Sequence, residues 1–156
     1  MIKVQEKLYV KADEFFEKIA ESVAYDITSS TGKKVRPKQI SKGYTYTKNM
    51  KNKMKRAGNV KVTITDFEAP VIYKAKFDSS QGINTISYEI EQLDEDHIGV
   101  TYTEDFQGAS GAKSLNFKFM SFFYNRGAKK KAVKLLRNME NFIQNEKKVE
   151  KEAETK

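Results

Sequence analysis

The chain has 156 residues, no cysteine and a single histidine, His97. Without cysteine it forms no disulfide and no thiolate metal centre, and one imidazole excludes a His-rich metal site, so we expect neither metal nor cofactor. Lys and Arg number 29 against 21 Asp and Glu, a net charge of +8 that suits an anionic partner or a solvated lysine-rich surface. No apolar run approaches the ~18 residues of a membrane-spanning helix and no signal peptide is seen, so we expect a cytoplasmic protein.

The N-terminal residues predict a strand followed by a helix. Polar and apolar residues alternate over residues 2–10, which is the two-residue period of a strand. Apolar residues then recur at helical spacing over residues 15–27, and Asp13 stands where a helix cap is expected. A cluster of Ser, Thr and Gly ends this helix, and Pro37 favours a short second helical turn.

The central part of the chain predicts five further strands separated by turn-forming residues. Their ranges are Tyr44–Met50, Asn59–Phe67, Val71–Asp78, Ile83–Gln92 and Ile98–Phe106. Because parallel strands need long crossovers, the short connections predict an antiparallel meander. With helices only at the two ends of the chain, the fold class is predicted as α+β.

The C-terminal third predicts a helix whose apolar stripe changes phase. Over residues 128–143 the apolar side chains share one arc and the basic side chains cluster on the opposite face. The apolar residues of segment 115–123 fall on the wrong side of the same helix, so we predict a kink or a short turn near Gly127. Residues 146–156 predict a charged, frayed tail, which leaves a single domain over residues 1–145.

This order of elements resembles the START-like or helix-grip superfamily, which includes birch-pollen-allergen-like and polyketide-cyclase-like proteins. Several stretches are also similar to one bacterial family of unknown function within it. They are Leu8–Phe16, Val23–Ile27, Thr31–Lys33, Gly43–Thr47, Asn84–Tyr88 and Val100–Phe106. The resemblance implies a curved antiparallel sheet of about six strands wrapped on a long C-terminal helix, with a cavity that often holds an apolar ligand. The superfamily also includes cyclases, lipid carriers and chaperone-binding modules, so fold does not settle function.

Strand alternation identifies the residues that face the predicted cavity. Three charged residues are in phase with apolar neighbours, and they serve either as ligand or acid–base groups or as solvated charges near strand ends. The inward tyrosines either line a pocket or fill the core. The cavity candidates are Glu6, Tyr44, Tyr46, Lys48, Tyr73, Tyr88, Tyr102, Glu104, Phe119, Phe123, Leu136 and Met139.

The aromatic segment 115–124 and the basic helix face after it form a candidate interaction surface. The segment fits a lid, a dimer contact, a membrane-surface element or a helix sandwiched against the sheet. No nucleic-acid-binding motif accompanies the basic residues, so we expect no sequence-specific nucleic acid partner. The surface candidates are Phe117, Tyr124, Arg126, Lys130, Lys134 and Arg137.

Three functions remain open at this stage, and no residue is identified as catalytic. The leading hypothesis is a non-enzymatic domain that binds a small apolar or amphipathic ligand between sheet and C-terminal helix. The second is a module, monomeric or dimeric, that docks a protein partner or an anionic membrane. The third is a cyclase-like or hydrolase-like enzyme, which requires Glu6 or Glu104 to converge with a tyrosine in a closed pocket.

Overall fold

A computed structural model describes residues 1–51, 57–108 and 115–155 of the chain, with side chains over residues 1–49, 58–108 and 127–155. Its elements follow the predicted order of strand, helix, meander and helix. They are β1 (Ile2–Leu8), α1 (Ala12–Thr31), a short 3-10 turn (Pro37–Gln39), β2 (Thr45–Lys51), β3 (Ala57–Glu68), β4 (Ile72–Ser79), β5 (Gly82–Gln92), β6 (Ile98–Gly108) and α2 (Leu115–Glu154).

The six strands form one antiparallel sheet in the order β1-β6-β5-β4-β3-β2. Strands β2 to β6 are the predicted meander, and β1 joins its far edge by pairing with β6, where Val4 faces Tyr102. A shift of register between Ile64 and Asp66 interrupts the pairing of β3 with β4, and such bulges bend a strand. The predicted α+β class and helix-grip arrangement are confirmed.

Helix α1 lies where the periodicity predicts it, but its cap is different. The helix begins at Ala12, and the backbone N–H of Lys11 donates a hydrogen bond to Glu14 Oε1 at 2.9 Å. The prediction that Asp13 caps the helix is therefore wrong, since Asp13 lies inside the first turn. The helix ends at Thr31, and the cap residue Gly32 donates its N–H to the Thr28 carbonyl at 2.9 Å. The positive φ of 74° at Gly32 then turns the chain away from the helix axis.

Helix α2 is continuous from Leu115 to Glu154, so the predicted short turn near Gly127 is wrong. One glycine costs a helix only about 1 kcal/mol, and helix-forming residues follow it. A bend within α2 stays a prediction. Residues 146–154 also continue the helix instead of forming a frayed tail. Ion pairs of Glu146 with Lys18 and of Lys147 with Glu14, each 2.8 Å long, attach this part of α2 to α1.

The core lies between the inner face of the sheet and the two helices. Its fully buried residues include Leu8, Phe15, Ile64, Ile98 and Leu136. Helix α2 packs on β1 and α1 packs on β2, so the helices cover opposite edges of the sheet. The central strands β4 and β5 are left between them. Within the described ranges, neither helix is long and apolar enough to cross a bilayer.

Candidate functional site

An open cleft of about 660 Å³ lies between α1, α2 and the inner face of the central strands. Helix α1 contributes Val23 and Asp26 to its walls, and α2 contributes Met139 and Phe142. Its floor includes Phe77 of β4 and tyrosines from three strands. Small-molecule sites commonly measure roughly 300–1,000 Å³ and have mostly apolar walls with a few polar groups, which is the composition found here.

A row of tyrosines crosses three neighbouring strands on the inner face of the sheet. Tyr73 of β4 is opposite Tyr88 of β5, and Tyr88 is opposite Tyr102 of β6. Their ring centroids are 6.2 and 5.0 Å apart. Burial raises the pKa of Tyr73, and burial together with the negative charge of Glu104 raises the pKa of Tyr88 to about 12. Both phenols therefore keep their protons at neutral pH.

The polar centre of the cleft is the Asp26 carboxylate of α1. The Tyr46 hydroxyl donates a hydrogen bond to Asp26 Oδ2 at 2.5 Å. The Lys48 ammonium donates to Oδ1 and Oδ2 at 3.1 and 3.2 Å, and its Nζ lies 5.7 Å from the centroid of the Phe77 ring. Burial and the hydrogen bond to Asp26 raise the pKa of Tyr46. We call Asp26, Tyr46 and Lys48 the acid–lysine cluster.

A second charged cluster joins α1 to α2 at one wall of the cleft. Lys18 Nζ lies 3.0 Å from Glu21 and 2.8 Å from Glu146, and 5.3 Å from the centroid of the Phe142 ring. Burial alone would lower the pKa of Lys18, but the hydrogen bonds to Glu146 and Glu21 outweigh it, and the pKa is raised. Lys18 is therefore held as a cation that connects the helices.

Five of the predicted cavity residues meet in the cleft, namely Tyr46, Lys48, Tyr73, Tyr88 and Met139. Tyr44 instead packs beside Tyr46, with ring centroids 6.4 Å apart. Leu136 is 0 % exposed and belongs to the core, so its placement in the cavity is wrong, while its neighbour Leu135 lines the cleft. A helix turns 100° per residue, and an error of one residue moves a side chain off the wall.

The two inward glutamates are separated. Glu104 accepts hydrogen bonds from Tyr102 at 3.0 Å and Asn84 at 3.2 Å, and with Tyr102 it lines a second pocket of about 420 Å³. Glu6 instead forms an ion pair of 2.6 Å with Arg137 of α2. Glu6 is four residues along β1 from Ile2, the residue that faces Glu104, which corresponds to about 13 Å. Glu104 is therefore hydrogen-bonded to Tyr102 in an open pocket, whereas Glu6 is paired with the guanidinium of Arg137.

The predicted interaction surface is only partly within the described side chains. Lys130 and Lys134 are exposed on α2. Arg137 is not a free basic residue, because it also contacts Glu140 at 3.3 Å. The side chains of three surface candidates, Phe117, Tyr124 and Arg126, lie outside the described residues, and so do those of two cavity candidates, Phe119 and Phe123. Their roles stay predictions.

Asp26 is the residue that the sequence predictions missed. It lies three positions after the buried Val23 and next to the buried Ile27, at the margin of the apolar stripe of α1. A carboxylate at such a margin points toward the edge of the packed face. That position was the available signal, but the choice of Lys48 and Tyr46 as partners depends on how α1 lies on β2.

Solved structures with a similar fold were found for nearly the whole chain. The Zhui aromatase/cyclase from Streptomyces sp. R1128 is 14% identical, with 92% of each chain covered and a TM-score of 0.61. A protein of unknown function from Staphylococcus aureus is 8% identical, with 94% of this chain and 95% of that chain covered and a TM-score of 0.60. Ara h 8.0201 is 10% identical, with coverages of 92% and 97% and a TM-score of 0.57. These similarities show the helix-grip fold.

Sequence comparison identifies the family. No curated protein matches the chain. The family described as "Domain of unknown function (DUF3284)" matches residues 2–125, from β1 into the first part of α2. That match covers most of the chain and agrees with the resemblance to a helix-grip family of unknown function. The chain therefore belongs to the DUF3284 family.

Proposed function

We propose that this protein binds a small apolar or amphipathic molecule in the cleft between the sheet and its two helices. The observation that carries the proposal is the cleft of about 660 Å³, whose mostly apolar walls hold the acid–lysine cluster. A molecule placed there covers the rings of Tyr73, Phe77 and Tyr88. Burying apolar surface supplies about 25 cal/mol per Å², and this gain must offset the translational and rotational freedom that the ligand loses.

The polar contacts favour binding over catalysis in this cleft. Both oxygens of Asp26 already accept hydrogen bonds from Tyr46 and Lys48, so the carboxylate is engaged and is not poised to take a substrate proton. The raised pKa of Tyr73 and of Tyr88 makes these phenols poor general acids and poor nucleophiles at neutral pH. The same groups are well suited to orient a ligand through hydrogen bonds.

The direct test is binding of a neutral apolar fluorophore, N-phenylnaphthylamine, to the purified protein. Met139→Trp places a larger side chain in the cleft and is expected to weaken binding by about tenfold or more. The bulkier ring keeps part of the ligand's apolar surface from being buried, which removes about 1.4 kcal/mol or more of binding free energy. Tyr9→Trp is the matched control, since Tyr9 is half exposed and lies outside the cleft walls. Its affinity for the fluorophore is expected to equal that of the wild type.

Two results would overturn the proposal. One is the absence of saturable fluorophore binding to the wild type. The other is equal binding by wild type and Met139→Trp when circular dichroism shows both to be folded. Native mass spectrometry of freshly purified protein adds an independent readout, because a retained molecule appears as a discrete mass increment that organic extraction removes.

A further inference from the structure

Several hydrogen-bond donors line the floor of the cleft. Asp26 is the acceptor of the acid–lysine cluster, and its two oxygens receive three hydrogen bonds from Tyr46 and Lys48. An ammonium has three N–H donors, so Lys48 retains donors beyond those aimed at this one carboxylate. Within the described part of the chain, the hydroxyls of Tyr73 and Tyr88 donate to no other residue, and both side chains line the cleft.

The tyrosines remain donors across the physiological range. Their pKa is raised by burial, so neither phenol ionises near neutral pH and each keeps a proton to donate. The Lys48 ammonium is the strongest of these donors, since it is charged and only 20 % of its side chain is exposed. A ligand oxygen near Nζ would receive a charge-assisted hydrogen bond in place of one to solvent.

Among the described residues, the charges that line the cleft cancel. Lys18 and Lys48 are the cations, and Glu21 and Asp26 are the anions, each within ion-pair distance of one of the lysines. A charged ligand would lose its hydration without meeting an uncompensated opposite charge, and this desolvation costs several kcal/mol. An uncharged ligand avoids that cost.

We propose that the ligand of this cleft is an uncharged molecule with a flat apolar body and a hydrogen-bond-accepting oxygen, such as a ketone, that receives a hydrogen bond from Lys48. Its body lies on the rings of Phe77, Tyr73 and Tyr88. This inference rests on the proposed function, because it names the chemistry of the molecule that the cleft takes.

A matched set of four naphthalene probes tests the assignment by displacement of bound N-phenylnaphthylamine. Methyl naphthyl ketone is uncharged and offers an acceptor, ethylnaphthalene has the same shape without one, naphthoate is an anion and naphthylmethylammonium is a cation. The ketone is expected to bind about tenfold more tightly than ethylnaphthalene, as a charge-assisted hydrogen bond allows. Both ions are expected to bind more weakly than the ketone.

Substitutions test whether Lys48 causes the preference for the ketone over ethylnaphthalene. Lys48→Met is expected to abolish the advantage of the ketone and to leave the affinity for ethylnaphthalene within about threefold of the wild type. Lys61→Met removes an exposed lysine of β3, directly across from Thr47 of β2, and should change neither affinity. If Lys48→Met does not fold, Lys48→Gln keeps a polar side chain, removes the charge of the donor and should reduce the ketone advantage in the same direction.

The outcomes separate this inference from the proposed function. If ethylnaphthalene binds as tightly as the ketone, or the ammonium binds best, or the ketone advantage survives in Lys48→Met, the cleft binds ligands but the assignment of an acceptor to Lys48 is wrong. If neither the fluorophore nor any of the four probes binds, the proposed function fails as well.

Discussion

The contact between Tyr46 and Asp26 connects helix α1 to strand β2. Tyr46 is a buried residue of the sheet, and its hydroxyl is satisfied by a carboxylate 20 positions earlier in the chain. A buried hydroxyl that loses its partner keeps the full cost of its desolvation, so such contacts influence stability more than exposed ones do. Lys48 balances the charge of Asp26 from the same strand.

Removing the Tyr46 hydroxyl should therefore destabilise the fold. Tyr46→Phe is expected to lower the free energy of unfolding by about 1.5–3 kcal/mol, the range for a hydrogen bond to a charged group. The measurement is urea unfolding followed by circular dichroism. Tyr25→Phe is the control, since Tyr25 is 77 % exposed and its hydroxyl is solvated. Equal stability of the two variants would contradict the importance of the Asp26 contact.

Alkaline pH provides a second test at this scale. Burial in the folded state raises the pKa of Tyr46, Tyr73 and Tyr88, whereas a tyrosine of the unfolded chain ionises at about pH 10. The unfolded chain then releases these protons first, so the stabilisation is complete below about pH 10 and is lost as the pH rises toward about 12. The free energy of unfolding of the wild type should fall more steeply in this window than that of Tyr88→Phe. Parallel pH profiles for the two proteins would argue against a protected Tyr88.

Strand periodicity was enough to predict four residues of the cleft floor. Side chains alternate with a period of two, so the phases of Tyr46, Lys48, Tyr73 and Tyr88 follow from their apolar neighbours. The partners of the charged residues were not predictable in this way. The pairing of Glu6 with Arg137 joins residues 131 positions apart, and it depends on the rotation of α2 over β1.

At the scale of elements, α2 presents two adjacent leucines to different surroundings. Leu136 is 0 % exposed in the core, whereas Leu135 is 39 % exposed at the cleft. Ala132, Leu136 and Ile143 are all buried and recur at helical spacing along one face. That face holds α2 on the sheet, and the adjoining one forms a wall of the cleft.

The two leucines should respond differently to truncation. Leu136→Ala is expected to lower the free energy of unfolding by about 2–5 kcal/mol, because it leaves a cavity in the core. Leu135→Ala should cost less than about 1 kcal/mol, since its side chain is partly solvated already. Denaturant unfolding of both variants measures the difference. A larger loss for Leu135→Ala would mean that the helix face bearing Leu135, and not the one bearing Leu136, is packed in the core.

The length of α2 shows why charge alone was a poor guide to helix ends. Residues 146–154 are rich in Lys and Glu, which predicted a solvated tail but are also strong helix formers. The ion pairs of Glu146 and Lys147 with α1 hold the start of this stretch against the domain. These contacts join residues more than 120 positions apart, so local sequence does not reveal them.

At the scale of the whole molecule, the cleft results from the order of strands in the sheet. Closing β1 onto β6 places α2 over one edge, while α1 covers β2 at the other. The tyrosines of β4 and β5 are left between the helices. The short connections predicted the meander, because they exclude parallel pairing. The width of the cleft could not be predicted, since it depends on the separation of two helices that no local pattern specifies.

The central claim is that a ligand occupies this cleft, and methionine-methyl NMR tests it most directly. The chain has five methionines, and Met139 lines the cleft. With methyl-labelled methionine and bound methyl naphthyl ketone, the account predicts intermolecular Overhauser contacts between the naphthalene protons and the Met139 methyl group, assigned with Met139→Leu. Saturable binding of the ketone without any contact to the Met139 methyl group would contradict it.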